Sequence, residues 1–385
     1  MPLPPLVAPA AELSPAEVAR YSRHLVLADF GEVGQRRLKN ARVLVVGAGG
    51  LGSPILLYLA AAGVGTLGIV DFDTVEESNL QRQIIHGSAD VGRSKTHSAR
   101  DSIAALNPLV TVDMHDLRLA PDNAVELFGR YDLIIDGTDN FATRYLINDA
   151  AVLARKPYVW GAVQGFEGQV SVFWEHAPAG PDGQPRGLNY RDLHPEAPPE
   201  PVPSCAEGGV LGLTCAAVAA AMGTEAVKLI TGIGESLLGR LLIHDALAMS
   251  QHTIGLRKDP EAPPITALAD YPGICASDDS AVTPRQLRGM LDAGQRVVLV
   301  DVREPGEWAA GHIDGAVLVP LSAIESGAGL SGLPRDRIPV LYCKTGARSA
   351  AALAVLRGAG FADAVHLRGG IVAWANQFDP DMGVH

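Results

Sequence analysis

Two places in the sequence combine residue type and spacing in a way that could do chemistry. In the first, Gly47, Gly49 and Gly52 form G-x-G-x-x-G, after the β-branched run ARVLVV (41–46) and before the apolar SPILLYLAAAG (53–63). Glycines at that spacing permit a tight turn, close backbone approach to phosphate, and an anion site at a helix N-terminus. Asp71 closes the next strand 19 residues after Gly52, where a carboxylate suits a ribose hydroxyl. On these residues alone an NAD(P)- or FAD-binding Rossmann oxidoreductase is a fair reading. The plainer one is a glycine turn that only packs helix on strand.

The residues that follow shift the balance. ESNLQRQ (77–83) groups Asn79, Gln81 and Arg82, VGRSK brings Lys95, and a second acidic loop runs from Asp136 through Asp139 and Asn140. Hydride transfer has no need of extra cations and a separate carboxylate. Activation by a nucleoside triphosphate needs both. Arg82 and Lys95 can stabilise charge developing on an α-phosphate and a departing pyrophosphate. Asp139 can hold Mg²⁺, which keeps few protein ligands and bridges phosphate oxygens. Any one of these residues alone reads as a surface charge; the set, at strand ends around one glycine loop, does not.

The second place is Cys343. VLYC sets it at a strand end, and KTGARS leads into a helix, so successive backbone N–H groups should curl around the sulfur. With Arg348 and the helix dipole, such a nest stabilises an anion, and a persulfide is that kind of anion. Cys-dependent phosphatases also pair Cys with Arg, but across a longer loop; here four residues, Lys344 to Ala347, intervene. The smaller ring suits one bound sulfur. Cys205, in SCAEGGVLG before an apolar helix, is the other candidate nucleophile, since a helix N-terminus favours the thiolate; a small capping residue is the alternative. Cys215 reads as core and Cys275 as a linker thiol.

These residues must be positioned by an α/β framework. Of 385 residues, 47% are apolar, 19% charged and 42 are Gly, which fits many strand-to-helix turns and excludes wholesale disorder. A net charge of −12 argues against nucleic acid and anionic membranes as partners. Four cysteines do not make a disulfide framework, and neither a signal peptide nor a membrane span is legible, so the expected location is cytoplasmic. Ser14-Pro15-Ala16-Glu17 signals a helix start after a Pro- and Ala-rich arm. Residues 176–204 read as a mobile Pro-rich surface loop, 210–230 as a buried helix, and 240–247 as the last strand of the first domain. The expected division is a first domain over 1–262, a linker over 263–280, and a small α/β domain over 281–385.

RYSRHL, VLVVGAGGLGSP, GVGTLGIVDFDTVEESNLQRQ, VGRSK and DGTDNFATR resemble the MoeB/ThiF family, relatives of ubiquitin-activating enzymes, from about residue 14 to 257. The resemblance implies a Rossmann-like adenylation domain with ATP contacts at Gly50, Asp71, Asn79, Arg82, Lys95 and Asp139, with Asn140 beside them. Arg23 matches an arginine that reaches the triphosphate of the neighbouring subunit, which implies a homodimer. The implied substrate is the Gly-Gly C-terminus of a ubiquitin-like sulfur carrier protein. Zinc-containing members carry two CxxC pairs, but the corresponding stretches here read LNYRDL (188–193) and PGICASD (272–278). No structural zinc is therefore expected, as in the actinobacterial MoeZ-type branch. DVREPGEWAAGHIDGA (301–316), CKTGARS and LRGGIVAW (367–374) resemble rhodanese, which implies a Cys343 persulfide with Asp301 and Arg303 buttressing its loop.

Together these resemblances imply an enzyme that adenylates the carrier's carboxylate with MgATP and transfers sulfur from Cys343, directly or through Cys205, to give a thiocarboxylate. The donor would be thiosulfate or a cysteine desulfurase. The pathway (molybdenum cofactor, thiamine, cysteine or tRNA thiolation) stays open. The rivals are the oxidoreductase and a non-enzymatic adaptor that only binds carriers.

Overall fold

The computed structural model describes residues 3–180, 183–196, 209–269, 271, 281–379 and 382. By internal contacts the chain divides into two units, Met1–Ile274 and Cys275–His385, each with its own sheet and core.

In the first unit β1 (Arg42–Val46), β2 (Thr66–Val70), β3 (Thr111–His115), β4 (Leu133–Asp136) and β5 (Tyr158–Gln164) run parallel in the order β3-β2-β1-β4-β5. β6 (Glu167–Phe173), β7 (Arg240–Asp245) and β8 (Ser250–Gly255) continue the sheet antiparallel. Helices cover both faces, which is why residues 43–46 of β1 and 133–135 of β4 are unbroken apolar runs. α3 (Gly52–Ala62), α4 (Lys95–Leu106) and α7 (Gly212–Thr231) share one core. α5 (Ala124–Gly129) and α6 (Phe141–Leu153) build the other. α7 lies so close to the β5–β6 hairpin that a Cβ at Gly161 would stand 2.3 Å from Met222 Sδ, and one at Gly168 2.1 Å from Val218 Cγ2. Among the described helices, α7 has the length and apolar composition of a membrane span; its half-buried contribution to this core accounts for that composition.

The start signal at Ser14 is a complete capping box for α1 (Pro15–Leu25), with Ser14 N donating to Glu17 Oε2 and Glu17 N to Ser14 Oγ. α2 (Gly31–Asn40) follows it. Three expectations change. The N-terminal arm is docked: Leu3 and Val7 are buried, and Leu6 N donates to Leu229 O of α7. The Pro-rich loop is not all surface, because Leu188 and Tyr190 drop into the second core, where apolar burial outweighs the cost of ordering the segment. And β7 is not the last strand; β8 pairs with it along its whole length.

In the second unit β9 (Ala281–Val282), β10 (Val297–Asp301), β11 (Val317–Leu318), β12 (Ile338–Tyr342) and β13 (Val365–Leu367) form a parallel sheet in the order β11-β10-β12-β13-β9. α8 (Pro284–Asp292) and α12 (Gly370–Phe378) pack on one face. α10 (Leu321–Glu325) and α11 (Ala347–Gly358) pack on the other, and α9 (Pro305–Ala310) follows β10. The two-residue period of β12 sends Val340 and Tyr342 into one core and Leu341 and Cys343 into the other.

Candidate functional site

Strand order in the first sheet reverses between β1 and β4, the point at which open α/β sheets bind ligands beyond their carboxyl ends. A cavity of about 830 Å³ opens there, lined on one side by Gly47, Gly49 and Gly50. Gly47 takes φ +90°, and a Cβ at Gly52 would stand 1.8 Å from Gly47 O, so only glycines let the chain turn into α3 here. No side chain caps α3; Ser53 N donates to Gly49 O at 2.9 Å and Ile55 N to Leu51 O, so main-chain bonds close the turn into the helix. Gly50 serves packing: its Cβ would meet Cys215 Sγ at 3.2 Å and Arg82 Cδ at 3.4 Å.

Asp71 holds the loop in shape, its carboxylate accepting from Ala48 N at 2.8 Å and Asp73 N at 2.9 Å. Burial pushes its carboxyl above the ordinary range, against the pull of Lys95 and of these N–H groups. Lys95 opens α4, is buried, and binds Asp73 Oδ2 at 3.1 Å. Arg82 lines the cavity and donates to Ser78 O at 3.1 Å. Asn79 lies outside the lining; its carbonyl accepts from Arg82 N and Gln83 N, so it shapes the turn that delivers Arg82. Asp139 is exposed at the cavity's edge beyond β4. Asn140 lines it too, but its side-chain oxygen caps α6 by accepting from Thr143 N at 2.9 Å. Asp136, fully buried, keeps one carboxylate oxygen without a hydrogen-bond partner, and burial raises its carboxyl. Arg23 is exposed on α1 and does not line this chain's own cavity.

Residues that the motifs did not single out complete the wall. Arg144, one turn into α6, donates to Thr138 O at 3.1 Å and lies 5.8 Å from the Trp160 ring. Tyr190 and His194 come from the segment that reads as loop. Cys215, core as expected, also lines the cavity, because Gly50 lets the glycine loop approach its sulfur. Cys205 and Cys275 lie outside the described residues.

In the second unit Cys343 follows β12 and is 1% exposed. Gly346 N donates to its Sγ at 3.1 Å, and the Ser349 hydroxyl stands 3.7 Å away. Gly346, at φ +118°, caps α11 with no side-chain bond. The loop is clasped from behind: Ile371 N donates to Cys343 O and Val372 N to Lys344 O. That approach explains the glycine pair in LRGGIVAW, since a Cβ at Gly370 would stand 2.4 Å from Cys343 O. Arg303 binds Asp301 through both carboxylate oxygens, both residues being buried, and its guanidinium lies 5.9 Å from the Tyr342 ring next to Cys343. Arg348 pairs with Glu307, whose carboxyl is held down at about 2 chiefly by the Arg348 hydrogen bond. His366 Nδ1 stands 3.4 Å from the Ser349 hydroxyl, and burial lowers its proton affinity. Sequence alone pointed to neither Glu307, Ser349 nor His366.

Residues 21–264 match the ThiF family and residues 283–377 the rhodanese-like domain. The chain is 68% identical to a probable adenylyltransferase/sulfurtransferase, MoeZ, of Mycobacterium tuberculosis, over 99% of this chain and 98% of that one. It is 38% identical to the adenylyltransferase and sulfurtransferase MOCS3-2 of Zea mays, over 98% of this chain and 83% of that one. A sulfur carrier protein adenylyltransferase of Thermus thermophilus is 47% identical over 67% of this chain and 97% of its own length. Among solved structures, Escherichia coli MccB with MccA-N7isoASN superposes with a TM-score of 0.55 at 20% identity, covering 64% of this chain and 73% of that one, a likeness of fold.

Proposed function

The chain belongs to the ThiF family, with a rhodanese-like domain following, and from that membership we propose how it acts as an adenylyltransferase and sulfurtransferase. MgATP binds in the first unit's cavity with its phosphates at the glycine loop, near Arg82 and Lys95, and its metal at Asp139. A carboxylate oxygen at the Gly-Gly C-terminus of a ubiquitin-like sulfur carrier attacks the α-phosphorus, and pyrophosphate leaves. The attacking group is already ionised, so no general base is required; positioning and preorganised cations supply the catalysis.

In the second unit Cys343 takes sulfur from thiosulfate or a cysteine desulfurase. The outer sulfur of the persulfide attacks the acyl carbon and AMP leaves; a further thiol, for which Cys205 is the candidate, then attacks the Cys343 sulfur of the acyl disulfide, releasing the carrier thiocarboxylate and leaving a disulfide that an external dithiol reduces. The sulfur anion gains from Gly346 N–H, the Ser349 hydroxyl and the start of α11. The protein is read as a cytoplasmic homodimer, with Arg23 serving the partner's triphosphate and no structural zinc.

The observation that carries this reading is the convergence of the glycine loop, Arg82, Lys95 and Asp139 on one cavity. A nicotinamide-linked oxidoreductase gives those cations and the Cys343 cradle no task, and an adaptor needs neither. The test is intact-protein mass measurement of candidate carriers after incubation with the enzyme, ATP and thiosulfate. A carrier gaining the mass of one sulfur in exchange for oxygen is expected; carriers unchanged in mass, with no pyrophosphate released, would overturn the reading.

A further inference from the structure

Residues 187–196 supply Tyr190 and His194 to the cavity wall and are fastened from two sides. On the inner side Arg191 binds both oxygens of Asp149 on α6, Nε at 3.0 Å and Nη2 at 2.7 Å, and Tyr271 donates to the same carboxylate at 2.7 Å. Asp149 and Tyr271 are 2% and 4% exposed and the Arg191 side chain 30%, so water screens this knot only from the guanidinium's side. The Arg191 guanidinium holds its proton more tightly than usual, first because of the Asp149 hydrogen bond. Next door, Asn148 Oδ1 accepts from the backbone N of Tyr190 at 2.7 Å while its amide donates to Asp149 at 2.8 Å. The knot thus reaches the main chain of Tyr190 itself, whose ring lies 5.4 Å from Trp160 and 5.0 Å from His194.

On the outer side the stretch that carries a CxxC pair in zinc-containing members presents Asn189 and Asp192 instead. Asn189 Nδ2 donates to Glu175 at 2.8 Å, Lys258 Nζ binds Glu175 at 2.6 Å and Asp192 at 3.4 Å, and Asp259 N donates to Asp192 at 3.1 Å. Structural zinc takes four N or S ligands. Here the donors are oxygens already engaged, with an ammonium among them. Among the described residues, no cluster of His, Cys, Asp or Glu could hold a metal. The residues do not fit zinc.

We infer that Asp149, Arg191 and Tyr271, backed by Lys258 with Glu175 and Asp192, are positioning residues that fasten this segment without a metal and so set Tyr190 and His194 in the wall of the adenylation cavity. The inference rests on the adenylation reading of that cavity. Its test uses the full-length Tyr271→Phe and Arg191→Met variants, with Lys258→Met and its rescue Lys258→Arg. In carrier-dependent exchange, KM for ATP should rise about tenfold in the first two, the scale of one lost hydrogen bond to a charged group, with kcat little changed. Amide hydrogen exchange over 187–196 should quicken, thiosulfate sulfurtransferase activity should not move, and dialysis of wild type against a chelator should change nothing. Should Arg191→Met fail to fold, Tyr271→Phe still decides.

Unchanged KM and unchanged amide exchange in Tyr271→Phe, or activity lost to the chelator and restored by zinc, would overturn the lock. Wild type that binds no ATP, while the variants still exchange faster over 187–196, would overturn the adenylation reading and keep the lock.

Discussion

Arg348 grips both carboxylate oxygens of Glu307, Nη1 to Oε2 and Nη2 to Oε1, each at 2.7 Å. The cation that opens α11 beside the Cys343 loop is therefore neutralised by a residue 41 positions earlier in the chain. Thiosulfate is a dianion, and its approach depends on the local field.

Releasing that cation should favour anionic donors. Glu307→Gln is expected to raise kcat/KM for thiosulfate about threefold at low salt, an advantage that fades as salt screens the site. Steady-state kinetics across an ionic-strength series check this. A fall in kcat/KM at every salt concentration would mean instead that Glu307 orients Arg348.

The same pair makes a pH prediction. The Glu307 carboxyl falls from 4.5 to about 2 on folding. A depressed carboxyl stabilises the fold above its unfolded value, and that contribution is lost as pH falls through the folded one. Wild type should thus be more stable than Glu307→Gln at pH 6, with the gap closing between about pH 4.5 and 2. Both side chains are about one-third exposed, so the gap is small. Thermal melts of both proteins across that range would reveal a constant gap if the assignment is wrong.

For adenylation, Lys95→Ala and Asp139→Ala should each cut carrier-dependent ATP–pyrophosphate exchange about a hundredfold, the scale of one preorganised charge. Lys95→Ala also leaves Asp73 without its 3.1 Å partner, so its melting temperature should be recorded beside its rate. Exchange within a few-fold of wild type in both variants would remove these residues from the site.

The sulfur chemistry should separate cleanly from adenylation. Cys343→Ala is expected to abolish thiosulfate sulfurtransferase activity and leave exchange intact. Gly370→Ala should do nearly the same, because its methyl group would collide with Cys343 O and Lys344 O at a φ of +59°. Cys205→Ala should leave both half-reactions measurable and alter, if anything, joint thiocarboxylate formation. Sulfurtransferase activity that survives Cys343→Ala, or that vanishes in Cys205→Ala alone, contradicts this division.

Local patterns carried the glycine loop, the capping box at Ser14 and the strand-loop-helix around Cys343, since each is written within a dozen neighbouring residues. What was not legible depends on partners far apart in sequence. Nothing near Glu307 marks it for Arg348, and nothing near Tyr271 marks it for Asp149, 122 positions away. Strand β8 went unread because its residues are almost all exposed, so it shows no apolar alternation. Tyr190 was hidden by its prolines, which argue for loop while saying nothing of the core its ring fills. Cys215 was legible as buried, but its place at the cavity depends on Gly50 lying opposite.

The fastening of residues 187–196 by carboxylates, a guanidinium and a phenol also has a meaning for supply. A site of cysteine and zinc fails when metal is scarce or when peroxide oxidises its ligands. Asp149, Arg191 and Tyr271 are complete as soon as the chain is synthesised, and they offer an oxidant no thiol to attack. Under metal starvation or oxidative stress this wall of the cavity would stand, and damage would fall on the chain's cysteines, where a sulfurtransferase is exposed by its own chemistry.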